Sequence, residues 1–160
     1  MKRASGAAAD GVKQISSNRK AFHDYHITDK LEAGLVLTGT EVKSLRVNGC
    51  SLTDGFVRVR GREAWLVNVQ IPAYGQGTFF SQHEPRRDRK LLLHGREIQR
   101  LVGTLQEKGL TLVPLRAYFK RGRAKVELGL GRGKRQYDKR ETIKQREAQR
   151  EVARFARRGS

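Results

Sequence analysis

A mainly β fold, a small closed antiparallel barrel of the oligonucleotide-binding type with about three helices and a basic C-terminal tail, is what this sequence predicts. Three observations lead there. Two hairpin patterns, over residues 56–71 and 113–130, alternate side chains to two faces across Gly-containing turns. Amphipathic helix patterns lie before and between them. A formal charge of +18 accompanies only 37% hydrophobic residues, so part of the chain lies outside any packed core. Short Gly-punctuated strands are how small β-barrels are written; a two-layer α+β sandwich is the structural alternative.

Each element has its own local reason. Residues 1–17 are rich in Ala, Gly and Ser with scattered bases, and read as a flexible basic leader. Residues 22–28 mix aromatic and β-branched side chains and read as extended, as do residues 35–37. Thr38 stands three residues before Glu41, the spacing of a capping box, and Asn48-Gly49 supplies a stop, so residues 39–47 are a short helix closing one end of a sheet. In the first hairpin Val57 and Val59 alternate with Phe56, Arg58 and Arg60, and the turn is Gly61-Arg62-Glu63. Trp65, Val67, Val69 and Ile71 share one face, which is expected to be the buried one. Pro72 ends that strand and residues 75–89 form a polar, basic loop. Ile98, Leu101, Val102 and Leu105 fall at i, i+3, i+4 and i+7 of a helix, with Gly109 as its cap. In the second hairpin Val113, Leu115, Ala117 and Phe119 face Ala124, Val126, Leu128 and Leu130 across Arg121-Gly122. Pro114 has no N–H, so its strand is an edge there or carries a bulge.

From Arg132 to Ser160 there are eleven Lys and Arg against four Asp and Glu. Ile143, Val152 and Phe155 make no continuous stripe, so this tail is expected to be disordered alone and helical against a polyanion. The domains are therefore a leader at 1–17, a barrel at 18–131 and a tail at 132–160.

The charge calls for an anionic partner. No apolar run approaches the ~18–20 residues of a membrane span, and residues 1–17 lack the apolar core of a signal peptide. A single cysteine, Cys50, fits a reducing cytoplasm. Of nucleic acid, an acidic membrane surface and an acidic protein, nucleic acid is the leading partner class. No metal site, cofactor or catalytic residue is expected: four histidines stand beside one cysteine, and the carboxylates form no close pair. Gly129-x-Gly131-x-Gly133-Lys134 lacks the spacing of a phosphate loop and reads as a strand ending in a hinge. Three basic runs carry the functional signal: Asn18-Arg19-Lys20, Arg86-Arg87 with Arg89-Lys90, and Lys134-Arg135 with Lys139-Arg140. They would meet phosphates, while His23 supplies a polar contact and Tyr25 and Tyr137 stack on bases.

An ordered series of motifs then resembles a known family. Asn18-Arg19-Lys20-Ala21, Glu32-Ala33-Gly34, the run Gly39-Thr40-Glu41-Val42-Lys43-Ser44-Leu45-Arg46, Arg89-Lys90-Leu91-Leu92-Leu93-His94, and Gly133-Lys134 followed by Asp138-Lys139-Arg140 are similar to motifs of the small protein B family, over about residues 18–155. Phe22 stands where the family suggests a basic residue, and Phe56 where it suggests Tyr.

The resemblance implies a barrel that clasps the tRNA-like domain of transfer-messenger RNA (tmRNA) and carries it to stalled ribosomes for trans-translation. Asn18, Glu32 and Leu92 fall where the family binds that RNA, with Lys43, Arg46 and Lys90 as neighbours. The tail, through Lys134, Arg135, Tyr137, Asp138, Lys139 and Arg140, corresponds to the part that probes the empty messenger channel and decoding centre. The implied partners are tmRNA and the ribosomal RNA of both subunits, met by a cytoplasmic monomer in a one-to-one complex. A general structured-RNA-binding ribosomal protein or RNA chaperone is the alternative.

Overall fold

In the computed structural model, which describes residues 11–75, 83–107, 109–134 and 136–158, the elements follow one another as β1 (Val12–Ser17), α1 (Arg19–Asp24), β2 (Tyr25–Leu35), α2 (Gly39–Asn48), β3 (Phe56–Arg60), β4 (Glu63–Val67), β5 (Arg89–Leu92), α3 (Gly95–Leu105), β6 (Leu110–Lys120), β7 (Arg123–Gly133) and α4 (Gln136–Arg158). All strands pair antiparallel in one sheet of order β1-β6-β7-β2-β5-β4-β3.

The β6–β7 hairpin forms, but its bulge divides the face expected of β6: Val113 and Leu115 pack with Ala21 of α1, whereas Ala117 joins Leu112, Val126 and Leu128 in the main core. Arg121 and Gly122 take φ of +53° and +77°. Two positive φ values make the turn whose twist suits a two-residue hairpin loop. The ladder slips between Pro114 and Arg116, the bulge expected at a residue without an N–H. Gly129 and Gly131 lie inside β7, so the glycine run is strand rather than phosphate loop. A Cβ on Gly129 would stand 2.7 Å from Leu115 Cδ1, and one on Gly131 3.0 Å from the His26 carbonyl oxygen.

Three local expectations are corrected. The leader gives way to strand at Val12–Ser17, which pairs with β6. Only Val12 and Ile15 are apolar there, too few to show alternation; the open edge of β6 makes the strand. Residues 22–24, expected extended, belong instead to helix α1, which the Asn18 side chain caps, so His23 and His26 lie on different elements. Gly109, at φ +86°, turns the chain into β6, while Gln106 ends α3.

The face assigned to Trp65 is also corrected. Ala64 and Leu66 are the buried residues of β4. Asn68 then adopts φ +61°, which resets the alternation so that Val69 and Ile71 are buried as well. Trp65 and Val67 therefore point outward.

The sheet curls around one core containing Leu52, Val57, Leu66, Leu91, Leu101, Leu112, Val126 and Leu128. It does not close, and this corrects the expected barrel. Among the described residues β3 faces the first half of β6 across a seam of side chains, including Val57, Val59, Val102, Leu105 and Leu112, without ladder bonds. The second half of that edge of β6 is already bonded to β1. The tail forms helix α4, whose Ile143, Val152 and Phe155 are exposed.

Candidate nucleic-acid interface

The residues singled out from the sequence divide by where the fold puts them. Two are inside. Asn18 is only 3% exposed. Its Oδ1 accepts from the Ala21 N–H at 3.1 Å, and its Nδ2 donates to the carbonyls of Leu52 (3.1 Å) and Pro114 (2.9 Å). With its amide hydrogens spent, Asn18 ties α1 to the bulge of β6 and acts on a ligand only by placing its neighbours. Arg89 is fully buried. Its Nε donates to Glu41, Nη1 to the carbonyls of Val69 and Arg87, and Nη2 to those of Glu84 and Pro85. All five guanidinium donors are thereby engaged, leaving none for a phosphate.

Glu41 organises this interior. It completes the capping box of α2, accepting from the Thr38 N–H at 2.9 Å, and it also receives Arg87 and Arg89. Burial opposes its ionisation, but the hydrogen bonds from Arg87, Thr38 and Arg89 outweigh that and hold its carboxyl below the usual range. Arg86 donates to Asn68 and Gln70. His83 bridges the Thr40 hydroxyl and the Ile71 carbonyl. Arg89, and in part Arg87, are thus scaffold, whereas Arg86 stays exposed and Lys90 turns to the outer face of the sheet.

Glu32 from β2 and Lys90 and Leu92 from β5 come together on the outer face of the sheet, in a cleft of about 660 Å³ also lined by Arg62, His94 and Lys125. Gly34 lets the strands meet, since a Cβ there would lie 3.2 Å from Leu92 Cβ. Leu92 is 57% exposed, an apolar tip among cations. Glu32 accepts from the Tyr118 hydroxyl and lies 3.5 Å from Lys120 Nζ, both through Oε2. The Tyr118 bond chiefly, with Lys120 and Lys125 behind it, holds the Glu32 carboxyl below its ordinary value against the opposing pull of burial. Beside it Arg116 pairs with Glu127 at 2.8 Å. The result is a cleft of mixed charge, in which Arg62, Lys90 and Lys125 stand among Glu32, Glu63 and Glu97, Lys90 pairs with Glu63 at 3.3 Å, and Glu32 is held ionised. Arg62, Lys120 and Lys125 were not singled out from the sequence, although Lys120-Arg121-x-Arg123-x-Lys125 is itself a basic run and Arg62 continues the alternation of Arg58 and Arg60; the pleat of β6 and β7 was the signal that Lys120 and Lys125 point outward.

The other residues form separate surfaces. Arg19 and Lys20 are exposed on α1, with Lys20 3.7 Å from Asp54. His23 meets Asp24 at 2.9 Å. Tyr25 packs partly against Ala21, Val113 and Leu115, which limits the ring face it can offer a base. Lys43 and Arg46 share the exposed face of α2, over the rings of Tyr74 and Phe119 at 5.9 and 4.6 Å. At the hinge the Lys134 N–H donates to the Asp24 carbonyl at 2.7 Å and its Nζ to the Phe22 carbonyl at 3.2 Å, anchoring the tail's root to the C-terminal end of α1. Arg140 is exposed on α4. Tyr137, Asp138 and Lys139 lie on the same helix, their side chains outside the described residues, as is Arg135.

Comparison with known proteins agrees with this picture. The profile of the family described as SmpB protein matches residues 15–158. The SsrA-binding protein of Acidothermus cellulolyticus is 62% identical over 148 residues, spanning 92% of both chains. That of Limosilactobacillus reuteri is 61% identical over 140 residues, 88% of each. Among solved structures, a chain described under "tmRNA-SmpB: a journey to the center of the bacterial ribosome" superposes with a TM-score of 0.66 at 48% identity, covering 82% of this chain and 95% of that one.

Proposed function

This chain belongs to the SmpB protein family, and on that premise we infer that it binds tmRNA and acts with it on the ribosome in trans-translation. The observation that carries the reading is the outer-face cleft, where Glu32, Lys90 and Leu92 meet from strands far apart in sequence. Such a site suits folded RNA. Lys90, Lys125 and Arg62 neutralise phosphates and set the register, while a carboxylate accepts from base edges or 2′-hydroxyls. Leu92 offers an apolar contact that a duplex backbone alone does not need.

The cleft takes the tRNA-like domain of tmRNA. The exposed cations of α1 and α2 widen its footprint. Helix α4, rooted at Lys134, carries the residues that enter the messenger channel and decoding centre, with Tyr137 stacking on a ribosomal base. The protein works by binding, as a cytoplasmic monomer bound one-to-one to its RNA.

The test is binding to the tRNA-like domain across a salt series with bulk tRNA as competitor. A protein neutralising about 6–10 phosphates loses roughly 10³–10⁵ in affinity between about 50 and 200 mM salt. Tight binding that survives near-physiological salt and competitor is expected from shape-specific recognition. Equal loss for every RNA would instead identify a general RNA chaperone.

A further inference from the structure

The reset of alternation at Asn68 leaves the chain's single tryptophan on the outside of the sheet. Trp65 has Arg58 of β3 and Lys90 of β5 as its direct register partners, and the Lys90 carbonyl accepts from the Val36 N–H at 3.0 Å. In the next row Val67 stands opposite Phe56, whose ring lies 5.6 Å from the Arg58 guanidinium carbon. Trp65, Val67 and Phe56 are half-buried, whereas Val36 is 44% and Leu92 57% exposed. The outer face of an antiparallel sheet is usually polar. This one interleaves aromatic and aliphatic side chains with Arg58, Arg60, Arg62 and Lys90, against Glu63 and Asp88.

Aromatic rings spaced among cations on extended strands are how proteins hold unpaired nucleotides, with bases stacking on the rings and phosphates lying on the cations. Lys90 lines the cleft with Glu32 and is also the register partner of Trp65, so the two surfaces are continuous. We propose that the outer face of β5, β4 and β3, centred on Trp65 and Phe56, is a base-stacking extension of the interface that takes unpaired nucleotides of the same RNA held in the cleft. The inference rests on the tmRNA-binding reading and adds to it a site for single-stranded segments, where the cleft reads a folded one. Charge selects a polyanion over an apolar protein partner, and continuity with the cleft selects tmRNA over ribosomal RNA.

Because Trp65 is the sole tryptophan, the emission of the intact chain reports on this face alone. The experiment titrates full-length protein with the tRNA-like domain carrying a terminal fluorophore, which measures saturation independently. The expected result is Trp65 quenching that follows saturation, with protection from acrylamide. Trp65→Ala should weaken binding about 5- to 100-fold, the range for one stacked base, without changing the salt dependence. Trp65→Phe should restore most of it, and Arg58→Ala should lower the log–log salt slope by about 1. Saturation by the fluorophore with unchanged Trp65 emission would overturn the inference while leaving tmRNA binding intact. So would quenching that appears only when ribosomes are added. Absence of saturation in the fluorophore channel would instead remove the tmRNA reading and this extension with it.

Discussion

Two carboxylates behave differently although both are held below their usual range. Glu41 is buried against Arg87 and Arg89. Removing one partner of a buried pair leaves an uncompensated charge, so Glu41→Ala should cost about 3–5 kcal/mol in urea unfolding. Its depressed value means that stability it confers is present above the ordinary carboxylate range and lost as pH falls through the lower folded value. Glu32 is partly exposed and faces the cleft, and its lowered value comes first from Tyr118. Tyr118→Phe should raise the Glu32 titration midpoint, read by carboxyl ¹³C shifts, and should weaken RNA binding at mildly acidic pH more than at neutral pH. An unmoved midpoint would show that Tyr118 does not hold the charge. The capping role of Glu41 was legible three residues from Thr38. Its second role was not, because no local pattern links it to Arg89 across the fold.

Among the elements, the turns of both hairpins, the capping box of α2 and the stripe of α3 followed from spacing alone, whereas the buried face of β4 did not. Strand β1 and helix α1 did not, since one depends on a free edge of β6 and the other on a single capping side chain that outweighs strand-prone neighbours. Strand β4 shows how one backbone angle redirects a face. A β-branched residue is poorly tolerated in the left-handed region, so Asn68→Val should destabilise by roughly 1–2 kcal/mol in chemical denaturation, whereas Asn68→Gly should be nearly neutral. If Asn68→Val instead unfolds at the wild-type midpoint, the left-handed residue is not what holds Trp65 outward.

For the whole molecule, a rigid curled sheet bears the cleft and a helix rooted at Lys134 bears the tail. Truncation after Gly131 should leave affinity for the tRNA-like domain nearly intact and abolish rescue of stalled ribosomes in a reconstituted translation assay. Equal loss of both would end this division of labour. Circular dichroism of the free full-length chain against that truncation measures how much of α4 is helical before it meets RNA. A difference spectrum without helix would place its ordering at the binding step.

Antiparallel β content, both hairpin turns, the capped helix α2, the polyanion partner and, through its ordered motifs, the family were all legible in the chain. These are legible because periodicity, turn chemistry and net charge act over a few residues or over the chain as a sum. Tertiary structure alone decided which basic side chains are left on the surface. Arg89 reads like Lys90 in the chain, yet the pleat turns one into the core toward Glu41 and the other out toward the cleft. It also decided that the sheet stays open, because β1 occupies part of the edge of β6 that closure would need. Pairing between distant strands sets such facts, and burial then selects for each charge a partner inside the protein or outside it.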